Sequence, residues 1–470
     1  MELVDRRQFV IMDKPYVKED FIQITLSCGL VLSYHKDLNV NIKGNSILLG
    51  HAFSCEEENV DLEKSITERF HWSGRWILIS AKKMYLDPCG SLGVFYSSGI
   101  DSNFICSSSL RIIKEILGSE WIANYQIKYN DGLPYMDYYP IPYTPCSNIK
   151  KMLPTQFFDF ESFEIKDEDE QWYDQYVLYS IDELYALLKK KLLKIFSNIG
   201  KQYNGKIWIP LTGGVDSRTC IALAKASGIR FGAYTALRDN INSWDRKAPA
   251  RICKRLGIEH FYMDDRVASN QQREVIYDTH CGGKVSVGTD RNQFVANNDV
   301  PNASDSIVLW GTAWEVYGRN FWGTFDLGEQ NDERLNSWND YSQGAIYKSN
   351  IHLKSLTEWL NYVEQHPMHT MDWRQRMYYE QRIGSWLSGS FQAIDLFDSI
   401  RISPVNCYDI FGILINLVDK TFAPDSRSDK RYQIQLINEF IPEVADIPYE
   451  EKNTILIRAF RKLGRIFNKN

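Results

Sequence analysis

The feature that most restricts the fold is an alternation of short apolar runs with helical patterns between residues 206 and 264. KIWIPL reads as a buried strand, followed by a glycine-containing turn and by TCIALAKAS, whose spacing is helical. FGAYTAL, then KAPARICKRLG ending on Gly257, then HFYMD repeat the order strand, helix, strand. Strands joined through helices pair in parallel, so the sequence predicts βαβ units and a parallel sheet. The turn after the first strand, Leu211-Thr212-Gly213-Gly214-Val215-Asp216-Ser217-Arg218, is the sharpest motif in the chain. Two glycines permit a tight turn, and the amides after them gather at a helix N-terminus, where such a nest takes phosphate oxygens. Thr212 and Ser217 add hydroxyl donors. Asp216 beside phosphate calls for a cation between them, which points to an Mg²⁺-linked nucleotide phosphate site with Asp216 on the metal. The spacing also suits an ordinary βα turn in which Asp and Ser cap the helix. GxxxxGK[ST] is absent, so the loop is not of the Walker kind.

The flanks differ in character. From Phe21 to about Tyr96, runs such as FIQITL, GLVLSY, SILLGHAF and GRWILISA alternate with Gly, Asn and Asp, which makes the first third β-rich. One helix is expected at 110–117. The acidic run KDEDE at 166–170 reads as a solvated linker, closing a first domain at residue 165 and extending to 180. Ser180 and Asp182 then open a helix, and beyond about residue 343 the pattern is mostly helical.

Bulk properties narrow the function. Lys+Arg 54 against Asp+Glu 60 gives a net charge of -6, which lends nucleic-acid binding no support. Nine scattered cysteines without a CxxC pair fit reduced thiols better than a disulfide framework or a zinc ribbon. MELVDRRQFV carries charge where a leader needs an apolar core, and no apolar run is long enough to span a bilayer, so a soluble, cytoplasmic protein is expected. Among eight histidines only His366 and His369 sit close together, in a proline-containing loop, and neither HExxH nor GxSxG occurs. The last residues, ILIRAFRKLGRIFNKN, form a basic amphipathic pattern. Such a tail can lie on an anionic membrane surface or hold a partner, and a helix packed on its own domain would show the same pattern.

LTGGVDSR resembles the SGGxDS pyrophosphate loop of the asparagine synthetase type of ATP pyrophosphatase, with Thr212 where Ser is commonest. Asp245, Ala248, Ala250 and Ile252, followed by LGIEH to His260, are similar to that family's helix ending in LGxxH. RISPVNCYD, with Arg401, Pro404 and Asp409, is similar to its RxPFLD segment. GRWILISAKKMYLDPCGSLGVFYSS, with Gly74, Arg75, Asp87 and Gly90, resembles the strands of its amino-terminal glutaminase domain. The resemblance implies an α/β synthetase domain over 181–470, with a parallel sheet of the adenine nucleotide α-hydrolase-like kind. It also implies an N-terminal β-rich, Ntn-hydrolase-like α+β domain over 1–165. The family's glutaminase nucleophile is a Cys exposed after Met removal, whereas position 2 here is Glu2 and no thiol precedes Cys28. The nucleophile and its α-amine base are missing as a pair. Glutamine hydrolysis is therefore expected to be absent, with Cys28, Cys55 and Cys89 read as core residues.

What remains implied is an ATP- and Mg²⁺-dependent, AMP-forming amide ligase. A carboxylate attacks the α-phosphorus, pyrophosphate leaves, and ammonia or an amine, free or supplied by a partner protein, takes the acyl group from AMP. Leu211, Thr212, Gly213, Gly214, Asp216 and Ser217 would hold the phosphates, with Arg218 as first candidate cation. VLWGTAWEVYGRNFW resembles the family's SGEGSDExFGGY segment, with Glu315 aligned as an acid, Trp314 where an Asp is expected, and Gly311 or Thr312 where a further acid is expected. For the family's late lysine, Lys452 after Pro442 is favoured over Lys430 in SDKRYQ, and a surface charge would explain either. The departures point away from a housekeeping asparagine synthetase and toward a tailoring ligase acting on a glycan uronate, a peptide carboxylate or a small metabolite. A retired nucleotide-binding scaffold and a lasso-type peptide macrolactam cyclase are the alternatives.

Overall fold

The computed structural model describes residues 5–98, 104–119, 139–146, 148–237, 243–264, 270–280, 294–296, 298–316, 328–342, 344, 346–348, 350–423 and 430–449. Its first third holds two six-stranded antiparallel sheets. One runs in the order Lys150–Lys151, Phe95–Ser98, Phe104–Ser107, Phe9–Met12, Val31–His35, Phe21–Thr25. The other runs Glu164–Asp167, Gln156–Asp159, Lys83–Leu86, Trp72–Ser80, Ser46–Ser54, Val40–Lys43.

Side chains alternate along a strand, and here both faces of the second sheet are buried. Leu49, Ile77, Ile79 and Met84 face the first sheet, against Phe9, Ile11 and Leu32. Leu48, Trp76, Leu78 and Tyr85 face the other way, into the core built by helices Ile181–Tyr203 and Tyr408–Thr421. That is why all nine residues of Trp72–Ser80 are buried. The β-rich third and the helical remainder thus share one continuous core.

The acidic run does not behave as a free linker. Glu164–Asp167 is an edge strand, Trp172 is buried, and the charges are tied down. Lys166 pairs with Asp159 at 2.7 Å, Glu168 with the buried Arg69 at 2.6 Å, and Asp167 with His366 at 2.8 Å. Glu170 accepts from the Thr370 amide at 3.1 Å, and Asp174 holds His369 at 2.7 Å. Residues 166–180, read as a solvated linker, keep exposed positions such as Asp169 and Leu178, but Asp167, Glu168, Glu170 and Asp174 are held by partners elsewhere in the chain, which composition alone does not reveal. The same contacts account for the His366 and His369 pair.

The long helix starts where its sequence says, with Ser180 accepting from the Glu183 amide and Glu183 returning the bond as a capping box. After it comes a five-stranded parallel sheet in the order His260–Asp264, Gly232–Leu237, Ile207–Pro210, Ile307–Leu309, Ile400–Ile402. Helices Val215–Ala226 and Ser243–Leu256 supply the crossovers expected from the alternation. Beyond residue 343 the described chain is mostly helical, with one strand at 400–402. Among the described residues, no helix is long and apolar enough to cross a membrane.

Candidate functional site

The strand order places the 207–210 strand at the sheet's turning point. Its sequence successors, 232–237 and 260–264, lie on one side, whereas 307–309 and 400–402 lie on the other. The loops leaving 207–210 and 307–309 therefore start from the carboxyl ends of the strands at the topological switch point, the crevice position at which open parallel sheets take ligands. The Gly-rich loop forms one wall and residues 310–316 the other.

The loop is ordered by its own side chains. Asp245, in the first turn of the next helix, accepts from the Gly213 amide at 2.8 Å. Thr212 Oγ1 accepts from the Gly214 amide at 3.2 Å, and Ser217 Oγ accepts from the Thr212 amide at 3.1 Å. The amides of residues 212 to 214 are thus engaged within the loop, which leaves the residues after the two glycines as the ones expected to face a ligand. Helix 215–226 begins at Gly214, which has no side chain to cap it, and uncapped first-turn amides are the groups that take anions at helix N-termini. The Thr212 and Ser217 hydroxyls meet at 3.1 Å, and that contact uses one of their two protons. Leu211 is buried beneath the turn. Close approach of the two walls depends on Gly311, where an added Cβ would lie 2.7 Å from the Asp216 carbonyl oxygen.

Three charged side chains converge at the mouth. Lys430 Nζ lies 3.1 Å from both Asp216 carboxylate oxygens and 2.9 Å from Glu315 Oε1. Gln433, in the first turn of the helix that Lys430 precedes, donates to Asp216 at 2.7 Å. Burial alone would lower the Lys430 pKa, but the charges of Asp216 and Glu315 outweigh it and the net shift is upward. Lys430 itself sits at φ 57°, and Ala313, on the opposite wall, at φ 68°. Left-handed backbone at residues other than glycine is costly and concentrates at functional sites.

The other assignments divide. Glu315 reaches the site, whereas the adjacent Trp314 is buried in the core. Arg218 is corrected. It is fully buried, neither facing the cavity nor lying on an exposed helix face, and its guanidinium donates to the carbonyls of Gly213 at 2.8 Å, Ile447 at 2.6 Å and Pro448 at 2.5 Å. Burial lowers its pKa to about 10, which leaves it charged at neutral pH. Arg218 thus ties the loop to the 446–449 segment, and the cationic side chain that stands beside Asp216 is Lys430. Lys452 and the basic tail lie outside the described residues, as does Glu2. Gln433 was not anticipated; it reaches Asp216 because helix 431–440 docks on helix 215–226.

Asp216 and Glu315 are hard oxygen donors, part-exposed, and already share one cation. That donor set fits Mg²⁺, which is bound through one or two carboxylates plus substrate phosphates. No family model matches the chain, and no curated protein matches it. Among solved structures it is similar to an NMN synthetase from Francisella tularensis at 16% identity, covering 40% of this chain and 97% of that one, with a TM-score of 0.21.

Proposed function

We propose that the protein is an ATP-dependent, AMP-forming amide ligase acting at the crevice between the Gly-rich loop and residues 310–316. The observation that carries this reading is the meeting of Asp216, Glu315 and Lys430 at the turning point of a parallel sheet, beside an uncapped helix N-terminus. The loop's likeness to the SGGxDS pyrophosphate loop adds the reaction class.

In the first step a substrate carboxylate oxygen bonds to the α-phosphorus of ATP, the bond from that phosphorus to the bridging oxygen breaks, and pyrophosphate leaves. In the second, a nitrogen nucleophile bonds to the acyl carbon, loses a proton, and AMP departs with the electron pair. The first-turn amides of helix 215–226 and the Ser217 hydroxyl bind phosphate oxygens. Lys430 places an ammonium where negative charge moves onto pyrophosphate. Mg²⁺ held by Asp216 and Glu315 would supply further charge neutralisation along the triphosphate. In the second step Glu315, released from the metal as pyrophosphate leaves, would take the proton of the incoming amine.

The N-terminal third serves this reading as a docking body. Arg6 and Arg7, at the start of the first strand, donate to Asp398 and to the carbonyls of Phe397 and Asp398. The nitrogen donor is then ammonia or an amine from solution or from a partner.

The test is pyrophosphate release from Mg·ATP over a panel of carboxylates (aspartate, uronate sugars, an acidic peptide) with ammonium present. The expected outcome is release that depends on one carboxylate and that falls about 10²- to 10³-fold in Asp216→Ala. Release unchanged by Asp216→Ala would remove the site assignment. A second reading, a nucleotide-binding protein without turnover, draws on Lys430 standing between the two carboxylates, and it is favoured if ATP binds while no carboxylate elicits release.

A further inference from the structure

A cavity of about 590 Å³ opens where the second antiparallel sheet meets the last turns of helix 181–203, a volume within the range of about 300–1,000 Å³ common to small-molecule sites. Its walls follow from two periodicities. Asn41 pairs with Leu48 in the ladder, and directly opposed residues stand on one face of a sheet, so Asn41 turns to the side on which Leu48 meets the helix. On the helix, Asn198, Lys201 and Gln202 are spaced i, i+3, i+4 and share one face. Earlier turns of the same helix bury Leu188, Leu192 and Ile195 in the core. Three residues past Ile195 the sequence turns to amides, and the core gives way to the cavity.

The wall carries polar groups with unused capacity. Asn198 is 6% exposed, and its Nδ2 donates to the carbonyls of Ser54 at 2.8 Å and Glu57 at 2.7 Å, which fixes the direction of the amide. Its Oδ1 is left without a partner. A buried acceptor with no donor is costly, about 1–3 kcal/mol. The side chains of Asn41, Asn59 and Gln202 line the same space and engage no partner among the described residues. His51 meets the Tyr203 hydroxyl through Nδ1 at 3.4 Å. Burial and the charges of Arg7 and Arg75 push its pKa down to about 3, so the ring is neutral near pH 7.

The charges of the wall decide the class of ligand. Lys43, Lys201, Glu58 and Asp61 sum to zero, with Lys201 paired to Glu58 at 2.6 Å and Lys43 to Glu63 at 3.1 Å. No surplus charge is left to select a phosphate, a carboxylate or an ammonium. A nucleobase calls for an open ring to stack on, and Phe53 on this wall is 4% exposed. A ligand rich in hydroxyls fits better, because an amide donates through its NH₂ and accepts through its oxygen, as each hydroxyl also does both. Ala52 and Val60 add an apolar strip for its C–H groups. We propose that this cavity binds a neutral saccharide, with Asn198 Oδ1 accepting from one sugar hydroxyl and with Asn41 and Gln202 bonding to others from the two walls. The site shares no residue with the crevice and stands independently of the ligase reading.

The test measures the binding of neutral disaccharides (maltose, cellobiose, lactose and diacetylchitobiose) to the full chain by calorimetry, with ATP left out. The expected result is a millimolar or tighter dissociation constant for one of them. Asn41→Ala and Gln202→Ala each remove an exposed side chain that bonds nothing in the described protein, which leaves folding intact. Each is expected to weaken binding about three- to tenfold, the loss of one hydrogen bond. Asn198→Leu, checked for folding by circular dichroism, abolishes it. Should Asn198→Leu not fold, the two exposed variants carry the test. Absence of binding by all four disaccharides, or binding unchanged in both Asn41→Ala and Gln202→Ala, would reduce the cavity to a water-filled recess and overturn the proposal.

Discussion

Two carboxylate and cation clusters in this molecule use the same chemistry and differ in their access to water. At the crevice, Lys430, Asp216 and Glu315 keep 28%, 37% and 27% of their side chains exposed. At the seam between the halves, Arg75 grips Asp395 with both ends of its fork, at 2.6 and 2.8 Å, with each side chain less than a tenth exposed. An exposed pair can exchange partners at small cost because water and ligand groups replace the lost contact. A sealed pair cannot, because either ion left alone stays buried without compensation. The open cluster is free to exchange partners, whereas the sealed one holds the seam together.

Ranked by effect on folding free energy, the first variant to break this contrast is Asp395→Ala. It strands the Arg75 guanidinium beneath the 72–80 strand and is expected to cost about 3–5 kcal/mol, read by urea unfolding. A loss under about 1 kcal/mol would place the seam in the same class as the crevice. Arg218→Lys comes second. Lysine keeps the charge but has no planar fork to span the carbonyls of Gly213, Ile447 and Pro448, so a loss of about 1.5–3 kcal/mol is expected. Gly311→Ala tests the crevice wall from the backbone side. Its Cβ would meet the Asp216 carbonyl at 2.7 Å, and overpacking of this kind costs about 1–3 kcal/mol. ATP binding, measured by calorimetry, should weaken with it, because the wall carries Glu315.

Residues 207 to 264 were readable because every signal there is local. Apolar runs, a Gly turn and helical spacing each declare one element, and the strands at 207–210, 232–237 and 260–264 appear where the alternation puts them. The two strands that complete the sheet, 307–309 and 400–402, have three residues each and lie more than ninety residues apart. They are defined by partners distant in sequence, and no short window contains that information. The charged groups follow the same rule. Asp216 was legible because it belongs to a compact motif, whereas Lys430 ranked behind Lys452 because only the docking of helix 431–440 on helix 215–226 brings it to the loop. Arg218 misled for the converse reason: its position beside the loop in sequence says nothing about the direction of its side chain. The KDEDE run misled because its partners, Arg69, Asp159, His366 and Thr370, lie outside it.

The variant expected to disturb folding least is Lys430→Met, and it sharpens the comparison most. The side chain is more than a quarter exposed and begins in a left-handed backbone conformation that methionine inherits unchanged. Its loss from a half-open cluster should therefore cost no more than about 1 kcal/mol of stability. If the ammonium neutralises phosphate charge in the crevice, the same substitution should lower pyrophosphate release about 10²-fold, because charge moving onto the leaving group would lose its nearest fixed cation. The two readouts separate the roles. A small stability change with a large rate loss assigns Lys430 to the reaction. A stability loss equal to that of Asp395→Ala would mean that the mouth of the crevice is held shut by the same kind of lock as the seam, and that nucleotide must break an ion pair to enter.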